Sequence, residues 1–441
     1  MKYLLKIFCF FNLFILSLSS SYAENLVEIY EVALKNDPEL LAAESNHRAT
    51  IQQYPIARSL LLPNLNFSAS SKRTRESIEG SVYGRSSSSS EYTTDEYSIK
   101  LKQPLYRRDL FVLLEKSESE VSKSLAERDS ARQHLIVRVA ENYFNILDAI
   151  DNIDYTVSEK NAIQSQLEEA KKRFEVGLIA ITDLADAQAS YDLSVTRTIE
   201  AESLSDLEKE SLYILTGKLF NNFSPLALDI KVKNPDPDNI EDWEKFAIKQ
   251  NLELFAYMRA QDIATSNLKY ERSKHYPTLD IYGSITETDK GGGSSGSFES
   301  NNDYIGIELN IPIFIGGNTH YSSKQAAYLE EKATYEVLKK KREIIRDTRQ
   351  AFLKLKSSIS KVKASKKALE SNELSVEYNK AGFEVGTRST TDVLLALKDL
   401  FKAKKNYSKA KYEYLLSQLK LKKSIGVLSI QDLEIINSWL N

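Results

Sequence analysis

Proline and glycine are nearly absent from two long stretches of this 441-residue chain, and this absence constrains its fold more than any other feature. No proline lies between Pro104 and Pro225, and none follows Pro312. Because these two residue types supply most turns and helix breaks, long uninterrupted helices are predicted. As one continuous helix, residues 107–173 would extend roughly 100 Å at about 1.5 Å per residue. No compact domain contains an element of that length.

Apolar residues in the first stretch recur at alternating intervals of three and four positions, beginning at Ile136, Val139 and Tyr143. This spacing is a heptad seam, which is typical of helices that pack along one another. The second stretch repeats the pattern from Phe352 to Leu369 with one interruption. The two proline-free stretches are therefore predicted to pack as coiled helices.

Each long helix is expected to turn back on itself at a glycine. Gly177 and Gly386 follow the predicted first helices, and glycine readily adopts the left-handed conformation with which helices often end. A second helix from about Ile181 to Thr216 would then run antiparallel to the first. The result is a helical hairpin with its tip at the glycine.

The chain contains one structural unit twice. Asn25 and Pro63 recur 214 residues later as Asn239 and Pro277, and FEVGLIAITD from residue 174 recurs as FEVGTRSTTD from residue 383. Each unit is predicted to contain a helix, two strands, a very long helix and a second long helix. The predicted divisions are a signal peptide at 1–23, a first repeat at 24–217, a linker at 218–238, a second repeat at 239–426 and a C-terminal segment at 427–441.

Residues 1–23 have the composition of a secretory signal peptide. Lys2 and Lys6 precede an apolar run that ends near Leu18, and Ser21-Tyr22-Ala23 is a small-x-small cleavage site. An uncleaved membrane anchor is the alternative, but the apolar run is shorter than the ~20 residues that a spanning helix needs. We therefore expect export and a mature chain that starts at Glu24.

Four segments alternate between apolar and polar residues, as strands with one apolar face do. The first pair includes Leu65 and Phe67, then Ile99; the second pair includes Ile281 and Ile307. The serine-rich segment SSSSSEYTTD and the glycine-rich segment GGGSSGSFESNN are predicted to be the loops within each pair. Two hairpins over a soluble core would fit this pattern. Together with the export signal, however, about ten alternating residues fit an outer-membrane strand, and several chains would have to contribute four strands each to close a barrel.

Enzymatic and nucleic-acid functions find little support. The histidines His47, His134, His275 and His320 lack metal-ligand spacing, and Cys9, the only cysteine, lies in the predicted signal peptide. No metal or cofactor site is therefore expected. Lysine-rich runs such as residues 339–342 suggest a solvated helix face rather than a nucleic-acid surface, since the formal net charge is −3.

The sequence resembles the TolC-type outer-membrane efflux proteins over nearly all of the chain after residue 23. The segments that carry the resemblance include ENLVEIYEVALKNDPEL, AENYFNILDAIDNIDYT, RFEVGLIAITDLADAQASYD and VGTRSTTDVL. The resemblance implies a mainly α fold with a membrane β-barrel: a homotrimer whose chains give four strands each to a twelve-stranded barrel, with long helical hairpins forming a periplasmic tunnel. It also implies passage of drugs, toxins or exported proteins, in partnership with a periplasmic adaptor and an inner-membrane transporter of ABC, RND or MFS type.

The resemblance further implies a set of links that hold the periplasmic entrance closed. Thr182 and Asp183 match the acceptor side of these links, and Arg388 matches the donor. A charge-assisted contact between arginine and carboxylate suits a latch, because a docking partner can break it. Phe383 departs from the tyrosine of the family, so one hydroxyl link is expected to be absent.

Two further features of the entrance follow from the resemblance. Asp392 matches the first of two aspartates that line the entrance, where three copies would form a ring that favours cations; Leu395 replaces the second. The hairpin tips match the segments that adaptors grip, namely Val176, Gly177, Leu178, Val385, Gly386 and Thr387. Without the resemblance, Asp183 and Asp392 would be read as helix-start residues. A periplasmic coiled-coil adaptor or scaffold without a pore remains the alternative function.

Overall fold

The structure is a computed structural model that describes residues 24–79, 88–227, 230–293 and 296–440. The predicted signal peptide at 1–23 lies outside the described residues. The helices and strands, numbered in chain order, are α1 (Leu26–Asn36), α2 (Pro38–Ile51), α3 (Gln53–Ser59), β1 (Asn64–Ile78), β2 (Ser88–Tyr106), α4 (Arg108–Glu175), α5 (Ile181–Thr216), α6 (Ile240–Gln250), α7 (Leu252–Ser273), β3 (Thr278–Gly291), β4 (Ser297–Asn310), α8 (Asn318–Glu384), α9 (Thr390–Ser424) and α10 (Ile430–Asn437).

The two very long helices are present. Helix α4 has 68 residues and α8 has 67. The heptad seam that predicted their packing is largely buried in both copies, with Val139 and Tyr143 fully buried in α4 and Phe352 and Leu355 at most 4% exposed in α8; its ends, such as Val157 and Leu369, are half-buried. The long helices are therefore stabilised by an apolar stripe that packs along their length.

The chain divides into two compact units. Of the described residues, one unit comprises 24–44, Arg128–Leu252 and 341–440, and the other comprises those within Ser45–Glu127 and Glu253–Lys340. The first contains two helical hairpins, formed by the distal part of α4 with α5 and by the distal part of α8 with α9. The second contains the β-sheet and the helical segments next to it in sequence.

A buried ion pair joins the start of α2 to α4 in the first unit. The Asp37 carboxylate, 1% exposed, accepts hydrogen bonds from Nη1 and Nη2 of Arg138 at 3.1 and 2.7 Å. The backbone N–H of Leu40 donates to the same carboxylate at 2.9 Å. Since the carboxylate has several partners, its burial is compensated.

The sheet of the second unit is antiparallel throughout, with strand order β1-β2-β3-β4. The cross-strand register brings Leu65, Leu101, Gly283 and Ile305 into one row on the same face. At the two edges of this row, Leu65 is 70% and Ile305 is 80% exposed, whereas Leu101 and Gly283 in the middle are half-buried. One chain therefore leaves the apolar face of its sheet uncovered.

The predicted loops within the strand pairs are wrong in extent. Strand β2 begins at Ser88 and β4 at Ser297, so most of SSSSSEYTTD and the segment SFESNN are paired backbone rather than loop. The strands have 15, 19, 14 and 14 residues instead of about ten. These polar residues have low β-propensity, but they form strands because a neighbouring strand supplies hydrogen-bond partners for their backbone groups.

None of the helices in the described ranges combines the length and the apolarity needed to span a bilayer.

Candidate functional site

The tips of the two helical hairpins expose apolar side chains. Gly177 and Gly386 adopt the left-handed conformation, with φ of 77° and 80°. At both tips the residue after the glycine donates its backbone N–H to a carbonyl five residues earlier, Leu178 to Arg173 and Thr387 to Gly382, each at 2.8 Å. This bond pattern terminates a helix and satisfies its last carbonyls. Exposed residues at the tips include Val176 (69%), Leu178 (72%) and Val385 (75%).

The predicted latch residues lie next to these tips but are not joined within one chain. Thr182 and Asp183 are in the first turn of α5, and Arg388 is an exposed residue just before α9. Across the described residues, Arg388 forms no ion pair with Asp183. An added Cβ on Gly382 would lie 2.7 Å from Cγ of Arg388, so the arginine stem rests directly on this glycine. A larger residue at position 382 would therefore have to displace the side chain of Arg388.

Asp392 lies in the first turn of α9 and takes part in a capping box. Its carboxylate accepts hydrogen bonds from the backbone N–H and the Oγ of Ser389, both at 2.9 Å, and its own N–H donates to that Oγ at 3.1 Å. These hydrogen bonds from Ser389, with a smaller contribution from the charge of Arg388, lower the pKa of Asp392. The carboxylate is therefore ionised and oriented in a single chain, as a helix-start residue is.

Phe383 is buried, at 5% exposure, among apolar residues of α8 and α9 that include Val393 and Leu397. The guanidinium of Arg173, on α4, lies over its ring with Cζ 4.0 Å from the ring centroid. Nε and Nη2 of Arg173 also donate to Oε1 of Glu169 at 3.1 and 2.8 Å. Sequence reasoning missed Arg173; the spacing of Glu169 and Arg173 by four residues indicates an ion pair on one helix but does not reveal Phe383.

An apolar contact joins the two hairpins close to the same place. Leu394 of α9 is 6% exposed and belongs to a cluster with Ile163, Leu167 and Ala170 of α4 and Ala187 of α5. Near the tips, the hairpins are thus held together by a leucine in an apolar cluster and by a cation over an aromatic ring.

A buried ion pair joins α4 to α5 further from the tip. Nη1 of Arg197 donates to Oε1 of Glu159 at 2.6 Å. Burial raises the pKa of Glu159, and the charge of Arg197 opposes this shift. Both residues line a cavity of about 460 Å³ together with lysines of α9, among them Lys398 and Lys402. The pair neutralises a carboxylate that is otherwise withdrawn from water.

The structure shows no candidate metal-binding site among the residues that it describes. No group of three or more histidine, cysteine or acidic side chains is placed to hold a metal ion there. His47 instead shares a hydrogen bond of 2.8 Å with Ser124 in a buried position.

The sequence model of the outer membrane efflux protein family matches residues 29–218 and 245–427. The chain belongs to this family. Outer membrane efflux proteins are channels, so the chain is not an enzyme, and its place is the outer membrane of a Gram-negative bacterium. Family membership also argues against the alternative of an adaptor or scaffold without a pore.

Individual relatives agree with this assignment. Outer membrane protein TolC of Vibrio cholerae is 35% identical to this chain over 447 residues, which cover 100% of this chain and 99% of that protein. The alkaline protease secretion protein AprF of Pseudomonas aeruginosa is 29% identical over 73% of this chain and 68% of its own length. The outer membrane channel CmeC of Campylobacter jejuni superposes with a TM-score of 0.77 at 19% identity, covering 95% of this chain and 90% of CmeC. The predicted fold class, mainly α with strands for a membrane β-barrel, is confirmed.

Proposed function

We propose that three copies of this outer membrane efflux protein form one channel, with twelve strands in the outer membrane and the helical hairpins forming a tunnel in the periplasm. The observation that carries this proposal is the four-stranded sheet with its exposed apolar face. Among the described residues, strands β1 and β4 each have one neighbouring strand. Because unpaired strand edges are not tolerated in lipid, the edges of three sheets would pair with one another and close the barrel.

The division of the chain into two repeats is part of this proposal. Residues 24–217 include β1, β2 and the hairpin of α4 and α5, and residues 239–426 include β3, β4 and the hairpin of α8 and α9. Each repeat would therefore supply two barrel strands and one hairpin of the tunnel wall, with 218–238 as the linker between them.

The hairpin tips would form the periplasmic entrance. Their apolar side chains are exposed in a single chain, as suits a surface that a periplasmic adaptor covers. The adaptor would connect the channel to an inner-membrane transporter of the ABC, RND or MFS type. The similarity to a protein named for the secretion of an alkaline protease supports exported proteins as one class of cargo, besides drugs and toxins.

The latch at the entrance would form when copies assemble. In this proposal Arg388 donates hydrogen bonds to Asp183 and Thr182 across an interface, since no such ion pair is made among the described residues of one chain. Arg388→Ser should therefore loosen the closed entrance and raise the conductance of the channel. A conductance equal to that of the unmodified protein would count against the latch.

Asp392 would line the entrance as a ring of three carboxylates, with Leu395 in place of a second ring. Leu395 is 54% exposed in one chain, so an aspartate would be accommodated at that position. A ring of three carboxylates favours cations, and water would supply the remaining ligands of a bound ion.

The proposed function is tested by reconstituting the purified protein in planar lipid bilayers. Stepwise conductance, together with recovery of the protein in the outer-membrane fraction, is the expected result. Recovery in the soluble periplasm, or bilayers that carry no current, would refute the proposal.

A further inference from the structure

The planar guanidinium of Arg173, near the tip of the first hairpin, contacts the second hairpin. Arg173 lies in the last turn of α4, and its guanidinium covers the ring of Phe383, which lies in the last turn of α8. The arginine side chain is 27% exposed, so it is partly withdrawn from water. Phe383 is anchored in the apolar core of the second hairpin. Arg173 therefore belongs to the first hairpin and Phe383 to the second, and each residue is fixed by contacts within its own hairpin.

Glu169 orients the guanidinium for this contact. Its Oε1 accepts from both Nε and Nη2 of Arg173, which holds one edge of the planar group and leaves its face free for the ring. Glu169 and Arg173 are four residues apart on the same helix, so this pair moves with α4. Separation of the hairpins would therefore break the contact between Arg173 and Phe383 and leave the pair of Arg173 with Glu169 intact.

We propose that the stacking of Arg173 on Phe383 keeps the two hairpins of one chain together at the entrance, and that Arg173 is a positioning residue for the closed channel. The phenylalanine, which lacks the hydroxyl expected from the family resemblance, thus contributes to closure through the face of its ring. This inference rests on the proposed function, because it assumes that parting of the hairpin tips opens the tunnel.

The contact suits a gate better than the apolar contact beside it. A cation over an aromatic ring requires a defined approach to the ring face, and it weakens within a few ångströms of displacement. The Leu394 cluster, by contrast, responds to buried area and tolerates sliding. A small movement imposed at the tips by a docking partner would therefore release Arg173 from Phe383 first.

The test compares single-channel currents of the full-length protein in planar bilayers. Arg173→Gln removes the cation, and Phe383→Leu removes the ring while it keeps an apolar side chain. Each should raise the open fraction roughly twofold to thirtyfold, the factor expected for loss of a partly desolvated contact of this kind. The double variant should open no more than the stronger single variant, because both changes remove the same interaction.

Two variants serve as controls. Lys172→Gln removes one positive charge from the neighbouring exposed position and should leave the open fraction unchanged. Phe383→Tyr keeps the ring and restores the hydroxyl expected from the family resemblance, so its open fraction should be no higher than that of the unmodified protein. Thermal melting of the purified trimers shows whether any variant is generally destabilised. The melting temperature of Arg173→Gln should equal that of the unmodified protein.

The outcomes separate the inference from the proposed function. Channels in which Arg173→Gln opens like the unmodified protein, or in which the effects of Arg173→Gln and Phe383→Leu add in full, would overturn the inference and leave the channel function standing. An unmodified protein that carries no current would overturn the proposed function and this inference with it. An effect of Lys172→Gln equal to that of Arg173→Gln would show that charge alone matters, which also overturns the role of stacking.

Discussion

The apolar face of the sheet provides the sharpest test of how this protein meets the membrane. Ile305 is in the row of residues that also contains Leu65, Leu101 and Gly283, and its side chain is 80% exposed in one chain. If this face contacts lipid, Ile305→Arg places a charged group against the hydrocarbon core. A charge near the middle of the bilayer on the lipid face of a barrel costs about 2–4 kcal/mol.

That cost applies to each of three copies, so a trimer would lose about 6–12 kcal/mol. For one site, about 2–4 kcal/mol corresponds to a roughly thirtyfold to thousandfold change in an equilibrium constant. This loss is comparable with the whole stability of an ordinary protein, which is about 5–15 kcal/mol. Ile305→Arg should therefore fold into lipid vesicles in greatly reduced yield.

A matched substitution on the opposite face gives the control. Asn302 lies on the same strand, in a row with Ser68, Ser98 and Thr286 on the polar face. Asn302→Arg adds the same side chain where water would be available, and it should insert almost as well as the unmodified protein.

Insertion is measured as the fraction of protein that becomes protease-resistant and trimeric in vesicles, against a urea series. Equal insertion of Ile305→Arg and the unmodified protein would show that this face does not meet lipid. Equally impaired insertion of the two arginine variants would show that neither face of the sheet tolerates arginine. It would then give no basis for assigning one face to lipid and the other to water.

Three further predictions concern the helical hairpins. Asp392→Ala should abolish block of the channel by a trivalent cation added from the periplasmic side. Asp432→Ala, which removes a capping aspartate of the same kind from α10, should leave the block unchanged. Equal block in both variants would mean that Asp392 only caps a helix. Gly386→Pro imposes a negative φ where the backbone has φ of 80°, so trimers should assemble but no longer capture an adaptor in a pull-down, and normal capture would contradict the role of the tip. Arg197→Met removes the hydrogen-bond donor to the carboxylate of Glu159 and should lower the free energy of unfolding, measured with denaturant, by about 3 kcal/mol. This value is the low end for a buried pair, because Arg197 is partly exposed. An unchanged unfolding midpoint would show that the pair does not contribute to stability.

The helices of this protein were predictable from the sequence because their signals are local. The sequence predicted a second helix from about Ile181 to Thr216, and α5 has these bounds. The same local chemistry placed Gly177 and Gly386 in the left-handed conformation. Asp392 was also identified as a helix-start residue, and it forms a capping box with Ser389, three positions before it. In all these cases the residues that decide the structure are at most a few positions apart.

The extent of the sheet depended on tertiary structure. Alternation identified the apolar parts of the strands, but it ends where both faces become polar, near Ser71 and Asp95. The structure continues the pairing beyond them, to Ile78 opposite Ser88. A polar segment becomes a strand when a partner in the right register accepts its backbone hydrogen bonds, and no local pattern in one strand reports that partner.

The entrance shows the same division between sequence and structure. Residue types and spacing alone determined the two hairpins, their glycine tips and the acidic residues at the starts of α5 and α9. Only the tertiary structure brought Arg173 to Phe383, which is 210 positions away in the sequence, and buried the ring within the second hairpin. Periodicity specifies which side of a helix is buried, but the neighbour it meets there depends on how separate helices pack, because packing joins residues that share no local pattern.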